Sequence, residues 1–415
     1  MSDAIIVLNG GSSSLKFSIH QITEQGEEPV VVARGQVEGL GGRPHFKVKD
    51  RTGVVLADEA LTTANSARFG HPEAFAHFVH WARAELGGVL TPVAVGHRVV
   101  HGGLEFTGPT LLNDDIIAKL ERLVPLAPLH QPYNLAAVRA VSSLRPDLPQ
   151  VACFDTAFHR GRTAATERFG LPDELFQAGV RRWGFHGLSY ASIINQLREA
   201  APDLAAGRII VAHLGSGASM CAIRGGRSVD TTMGFSTLDG LPMGTRCGSL
   251  DPGVMLFLLQ SRSRSEVETL LYRQAGLLGI SGISNDVREL LASESPRAAE
   301  AIEYFVYRAV REIGSLAAAT GGIDALVFTA GIGENSPVIR QRICRGLSWL
   351  GVALEHSANE RGRGCISPAG RSPSAWVIPT DEERVIAADT WAVLRSTAGF
   401  PKSDGTSRSV TSRHS

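Results

Sequence analysis

The sequence predicts an α/β protein built from two related halves, and three observations carry that expectation. Ala4 to Ile19 (AIIVLNGGSSSLKFSI) reads as an apolar strand, a glycine-serine turn and a second strand. Arg208 to Ile223 (RIIVAHLGSGASMCAI) repeats that order about 200 residues later, near half the length of the chain, which suggests a duplicated domain. Asp324 to Asn335 (DALVFTAGIGEN) then runs from a strand through a glycine turn into a helix.

Length and composition bound the reading. The 415 residues suit two to three domains, and 43% hydrophobic with 20% charged residues is ordinary for sizeable cores. Lys plus Arg equals Asp plus Glu at 41 each, so no net field favours nucleic acid or an anionic membrane. The five cysteines form no CxxC pair and no metal-ligand spacing, as expected for reduced thiols in a cytoplasm. No apolar stretch approaches the ~18 residues that span a bilayer, and the expectation is a soluble intracellular protein.

In the opening stretch, Gly10 and Gly11 let the backbone turn tightly. The serine hydroxyls and the Lys16 ammonium can meet an anion there, phosphate above all; an ordinary serine-rich hairpin is the alternative. Phe17, Ile19 and Ile22 keep no helical stripe, which excludes a Walker A loop. Val30 to Val55 reads as further short strands. His71 to Gly88 is a helix, with Pro72 in its first turn, a stripe from Phe75 to Leu86, and Gly87 as its stop. In the strand Pro92 to His101, alternation puts Arg98 and Val100 on one face. That wall can hold a carboxylate head and a short apolar tail, although a surface arginine is the commoner case.

Asn113 caps a helix bearing Ile116, Ile117, Leu120, Leu123 and Val124, which runs into a proline-stiffened loop, Ala127 to Pro132. Gln150 to Phe154 is a buried strand ending in Asp155, and ligands of open α/β sheets gather at strand ends. Aligned without gaps, Ile5-Ile6-Val7 falls on Ile209-Ile210-Val211, Gly11 on Gly215, Ser12 on Ser216 and Ile19 on Ile223, while Asn9 and Lys16 fall on His213 and Met220. Pro296 to Ala319 is a long buried helix. Thr380 with Glu383 reads as the capping box of a helix reaching about Arg395, which leaves Glu382 as a first-turn acid or a functional carboxylate.

Ten stretches occur in one order between residues 8 and 383: LNGGSSSLKF, GHRVVHGG, LAPLH, FDTAFH, GFHGLS, HLGSG, MGTRCGSLDPG, SNDVR, FTAGIGEN and PTDEE. Together they resemble the acetate kinase (acetokinase) family, within the sugar kinase, Hsp70 and actin superfamily. The resemblance implies two duplicated ribonuclease H-like domains with the active site in the cleft between them. The N-terminal acyl-substrate domain would span 1–150 and be completed by a helix at 384–400; the nucleotide-binding domain would span 151–383, with a disordered tail at 401–415. It further implies reversible transfer of the ATP γ-phosphoryl group to acetate by a homodimer, with Mg²⁺ (or Mn²⁺) as cofactor.

By the same resemblance, Asn9 and Glu382 are magnesium positions, and Lys16 is a nucleotide-phosphate contact with Ser12 and Ser14 beside it. Arg98 is the substrate-carboxylate arginine, and Val100, Leu129 and Phe185 form the apolar pocket. His186 and Arg246 stabilise the transition state, Asp155 is an active-site acid, and His130 is a further active-site histidine. The nucleotide site comprises His213, Leu214, Gly215, Ser216 and Gly217; Asp286, Val287 and Arg288; and Gly331, Ile332, Gly333, Glu334 and Asn335. The chain departs from the pattern at Ser216, usually asparagine; at Leu188 and Tyr190, where GFHGLSY replaces GFHGTSH; and at Thr237, usually a proline beside the methyl pocket. Propionate is therefore the alternative substrate, since one methylene is worth only about 1–3 kcal/mol of discrimination. A sugar or butyrate kinase would want a polar or larger pocket, and an actin-like nucleotide-binding module would need none of Arg98, His186 and Arg246.

Overall fold

Strand β1 (Ser2–Gly10) turns back through Gly11 to Ser14 on β2 (Ser14–Gln21), and β3 (Val30–Glu38), β4 (His45–Asp50) and β5 (Val55–Ala60) continue the antiparallel meander. On the other side of β1 lies β6 (Leu90–Val99) in parallel; β7 (Thr110–Leu111) edges β8 (Gln150–Phe154), which is parallel to β6. This computed structural model describes residues 1–11, 13–23, 28–61 and 69–397. The expectations for Ser12, for 398–400 and for the tail at 401–415 lie outside the described residues.

A second sheet holds β9 (Arg208–Leu214), β10 (Ala218–Arg224), β11 (Arg227–Thr231), β12 (Ala325–Thr329), β13 (Gly364–Cys365) and β14 (Ser374–Val377). Its order is β11-β10-β9-β12-β14-β13, and the first sheet runs β5-β4-β3-β2-β1-β6-β8-β7. The five strands β3-β2-β1-β6-β8 and β11-β10-β9-β12-β14 thus share one order and one polarity, two antiparallel neighbours on one side and two parallel on the other. This is a duplicated ribonuclease H-like α/β architecture.

The duplication carries one correction. Gly10 pairs with Leu15 in the first hairpin, but Leu214 pairs with Ala218 in the second, whose turn is one residue shorter. The ungapped alignment therefore holds for β1 and β9 and slips by one in the returning strand. Asn9 faces Lys16, and its counterpart His213 faces Ser219. A one-residue slip exchanges the two faces of a strand, so Ser219 rather than Met220 occupies the place of Lys16.

Helices cover both sheets. Phe75 and Phe78 of His71–Leu86 are fully buried, with the Phe78 ring tilted against Phe17 at 4.2 Å between centroids; each contributes about 1.5–3 kcal/mol of burial. Pro296–Thr320 lays Ile302, Phe305, Ala309 and Ile313 into the core, as its spacing requires. The helix Gln131–Leu144 begins inside the expected stiff loop Ala127 to Pro132, because Pro132 lies in its first turn, where proline costs no hydrogen bond.

The last helix, Glu382–Thr397, follows β14 of the second sheet yet packs Val385, Ile386 and Ala387 among Ile5, Val7 and Val151 of the first. Gly96 lets it approach: a Cβ there would meet Thr390 Oγ1 at 2.4 Å and Ile386 Cγ2 at 2.6 Å. Its cap differs from expectation. Asp381 accepts from the Arg384 N–H, whereas the Thr380 N–H donates to Glu334, so Asp381 caps the helix in place of a Thr380–Glu383 box. Among the described residues no helix is long and apolar enough to cross a membrane.

Candidate active site

Six strands, β1, β6, β8, β9, β12 and β14, deliver their C-terminal ends to one cavity of about 510 Å³. This is where parallel α/β sheets present loops free of ladder hydrogen bonds. Asn9 and Lys16 line it as a cross-strand pair. The turn behind them is held by the Gly11 N–H on Ser14 O at 2.8 Å and by His71 Nε2–H on Gly11 O at 2.9 Å.

Arg98 and Val100 reach the cavity from β6, as alternation predicts. Arg98 donates from Nε to Asp155 Oδ1 at 3.2 Å and from Nη2 to Asp155 Oδ2 at 2.6 Å, and Glu382 lies 3.7 Å from its Nε. Burial opposes the guanidinium charge, but Asp155 and Glu382 outweigh it and hold the Arg98 pKa above its usual value. Burial lifts the Asp155 carboxyl above the usual carboxylate range; Arg98 pulls it back and the Glu382 charge lifts it further.

The opposite wall is cationic or neutral by design of its surroundings. His186 sits at φ 57°, a left-handed turn that starts the helix Gly187–Ala200. Its ring stacks on His213 at 4.2 Å, and its Nδ1 lies 2.8 Å from Ser219 Oγ. His213 Nδ1 lies 2.8 Å from Ser189 Oγ. Burial lowers both histidines, His213 to about 4 and His186 well below its usual value, and Arg98 lowers both further. His130 is lowered to about 3 by burial and then by Arg246 and Arg98. All three rings are neutral at pH 7. Arg246 donates to the Thr237 carbonyl at 3.3 Å and faces the same space.

Gly215, Ser216, Arg246 and Gly331 also line a second cavity of about 560 Å³, so the two spaces adjoin. Asp286, Val287, Arg288, Ile332 and Asn335 line this second one. Asp286 caps the helix Val287–Ala292 and pairs with Arg288 at 2.5 Å. Most predicted site residues therefore meet in two contiguous cavities of a size that holds small ligands.

Others lie elsewhere. Leu129 and Ser14 line neither cavity. Leu214 is core, and Gly333 is buried against Phe328. Glu334 Oε1 accepts from the Ala330 N–H at 2.7 Å and the Thr380 N–H at 3.3 Å. It ties β12 to the segment after β14 and braces Ala330 at φ 64° instead of lining a cavity.

Sequence reasoning missed the residues that brace the site. Asn134 accepts from the Val100 N–H and donates to Gly10 O, and Gln131 bonds both backbone groups of His101. Both come from the helix Gln131–Leu144, of which only the first two residues fell in the expected loop; Pro132 in a first turn was the available signal. Glu383, Thr380 and Ala330 also line the first cavity.

The donor set near Arg98 suits a divalent cation. Two carboxylates, Asp155 and Glu382, converge on one guanidinium, with the Asn9 amide on the same cavity wall. Like charges held this close favour a cation between them, and hard oxygen donors suit Mg²⁺. Among the described residues no three His, Cys, Asp or Glu side chains form a metal cage by themselves, which fits an ion that keeps waters and shares phosphate oxygens.

A family model described as the acetokinase family matches residues 4–388. The chain belongs to the acetokinase family. An acetate kinase of Rhodopseudomonas palustris is 51% identical over 396 residues, covering 94% of this chain and 98% of its own length. The solved acetate kinase of Porphyromonas gingivalis matches with a TM-score of 0.83 at 35% identity, covering 95% of this chain and 100% of that one. A propionate kinase of Francisella tularensis matches with a TM-score of 0.85 at 34% identity, covering 94% of this chain and 99% of that one. The family match runs through both hairpins and past Glu382, so it includes every strand end that meets the cavity.

Proposed function

We propose that this acetokinase family member catalyses reversible transfer of the ATP γ-phosphoryl group to acetate, giving acetyl phosphate and ADP. One observation carries the reading: an arginine fork flanked by apolar Val100 and Phe185 opens into the same cavity as Lys16, His186 and Arg246. Acetate is already ionised at pH 7 and needs no general base. The obstacle is the approach of two anions, which positioned cations and hydrogen-bond donors relieve.

Asp155 engages Nε and one face of Nη2 on Arg98, so the fork of Nη1 and Nη2 remains for the acetate carboxylate, with its methyl toward Val100 and Phe185. Lys16, His186 and Arg246 would bear on the transferred phosphoryl oxygens. Gly215 to Gly217 and Gly331 would receive the phosphate chain, and the second cavity, with Asp286 to Arg288, Ile332 and Asn335, the nucleoside. Asn9, Asp155 and Glu382 would hold Mg²⁺, which when bound neutralises phosphate charge. Asp155, paired with Arg98 through both oxygens, has an orienting role.

We also place the protein in the cytoplasm as a homodimer. The five cysteines are free, as in a reducing compartment. The helix Pro252–Leu258 (PGVMLFL) buries none of its residues, and Leu256 and Phe257 stay 68% and 67% exposed, an apolar face suited to a second copy.

With ATP, Mg²⁺ and acetate, the purified chain should form an acyl phosphate that hydroxylamine traps as the hydroxamate. Absence of product with both acetate and propionate would remove the kinase reading. Thr237 lines the cavity where the family pattern has proline, so kcat/KM for acetate against propionate tests the substrate.

A further inference from the structure

His186 meets the cavity with its Nε2 edge: a Cβ placed on Gly217 would lie 3.3 Å from that nitrogen. The state of Nε2 is set from behind. Nδ1 lies 2.8 Å from Ser219 Oγ, and that hydroxyl lies 2.5 Å from Tyr190 Oη. Ser219 and Tyr190 are fully buried.

The arrangements of hydrogens that fit these distances differ in cost. If Nδ1 carries the proton, it donates to Ser219 and one hydroxyl hydrogen is left over: the phenol's if Ser219 donates to Tyr190, the serine's if Tyr190 donates to Ser219. Among the described residues neither hydroxyl has a further hydrogen-bond partner, so that hydrogen would be buried and unsatisfied. In the opposite arrangement Tyr190 donates to Ser219, Ser219 donates to Nδ1, and every hydrogen is used. The proton of the neutral ring then sits on Nε2 and points at the cavity.

We propose that Ser219, itself oriented by Tyr190, is a positioning residue for phosphoryl transfer that holds His186 as the Nε2–H tautomer. This deepens the acyl-phosphate reading and rests on it. An Nε2–H donor can bond a phosphoryl oxygen, whereas an Nε2 lone pair at the same place would repel it. The neighbouring residue on the same helix, Ser189, holds His213 in the same manner, 2.8 Å from its Nδ1, and the two rings stack. Consecutive residues of one helix thus serve both imidazoles, Ser189 directly and Tyr190 by way of Ser219. In the first slot Tyr190 stands where the family pattern usually has histidine. Ser219 reaches His186 only because the β9–β10 turn is one residue shorter than its counterpart, which puts serine in the place of Lys16.

Ser219→Ala removes the partner of Nδ1. In the full-length protein, its kcat for acyl phosphate formation should fall roughly tenfold, while KM for ATP and for acetate stays within about twofold. Tyr190→Phe keeps the ring against Phe158 and His159 and leaves Ser219 free to donate to Nδ1, so it should fall by less, and the double variant should fall no further than Ser219→Ala. Long-range proton–nitrogen NMR correlations should find His186 Nδ1 unprotonated in the wild type and in Tyr190→Phe, and a mixture of tautomers in Ser219→Ala. A merely structural role would lower the urea midpoint and leave kcat per folded molecule and the tautomer unchanged; that result, or a wild-type Nδ1–H, overturns the proposal. A wild type that forms no acyl phosphate refutes the kinase reading instead, and the spectra then judge the relay by themselves.

Discussion

Arg98 stands between two carboxylates, with Asp155 on Nε and Nη2 and Glu382 3.7 Å from Nε, so its loss acts on both binding and charge balance. Arg98→Ala should raise KM for acetate roughly 10- to 100-fold, the equivalent of about 1.5–3 kcal/mol for a charge-assisted contact. Arg98→Lys restores a point charge to the carboxylates without the planar fork, so it should recover folding more fully than acetate affinity. Arg246 makes its contact with the Thr237 carbonyl and otherwise faces the space assigned to the phosphoryl group. Arg246→Ala should therefore lower kcat by about 10²–10³ with little change in KM for acetate. Steady-state hydroxamate kinetics on the three variants separate these effects. Equal changes in kcat and KM for both positions would mean that the two arginines do not divide the work in this way.

The last helix links the two sheets: it follows β14, begins with Glu382 at the cavity and packs across Gly96 of β6. A methyl at Gly96 would collide with Thr390 and Ile386, so Gly96→Ala should cost about 1–3 kcal/mol of overpacking. It should also raise the Mg²⁺ concentration for half-maximal activity, since Glu382 rides on the displaced helix. An unchanged urea midpoint would sink the idea. Elements of this kind divide into what periodicity can and cannot reveal. The helices His71–Leu86 and Pro296–Thr320 and the strands β1, β8, β9 and β12 were legible, because their apolar spacing is strong and their ends are marked. The helix Gln131–Leu144 was not, because Pro132 reads equally as loop or first turn. Nor was the β9–β10 register, because one fewer residue in a glycine turn leaves no trace in composition. Site residues on strand ends, such as Arg98 and Asp155, followed from alternation and topology. Glu334 and Asn134 were misread or unseen because their work is to bond backbone groups distant in sequence.

Among the described residues, four histidines away from the cavity are nearly inaccessible: His20, His97, His101 and His159. Burial lowers the first three to about 4 and His159 to about 3. Their hydrogen-bond partners are neutral, namely Ser18, Gln150, the Gly103 N–H, and Ser228 with the Phe185 carbonyl; the acceptors Gln150 and Phe185 O favour the protonated ring, but burial outweighs them. An unfolded histidine titrates near 6.5. Between that pH and about 4 the unfolded chain holds protons that the folded chain refuses, so stability rises with pH. The contribution is complete above pH 6.5 and is lost progressively as pH falls toward 4. Asp389 works against it: burial lifts its carboxyl to about 6, so the folded chain keeps a proton there that the unfolded chain releases. In the cavity, the lowered His130 and His213 are opposed in the same way by the raised Asp155 and Glu383. With His71 and His186 lowered by burial as well, the net is an uptake of protons on unfolding near pH 5, so stability falls with falling pH there. The urea midpoint should therefore drop steeply between pH 6.5 and 4.5, and replacing His97 and Gln150 together by apolar residues should flatten the drop by about one proton. A midpoint that stayed level from pH 7 to 5 would mean that these rings titrate in the folded chain as they do in the unfolded one.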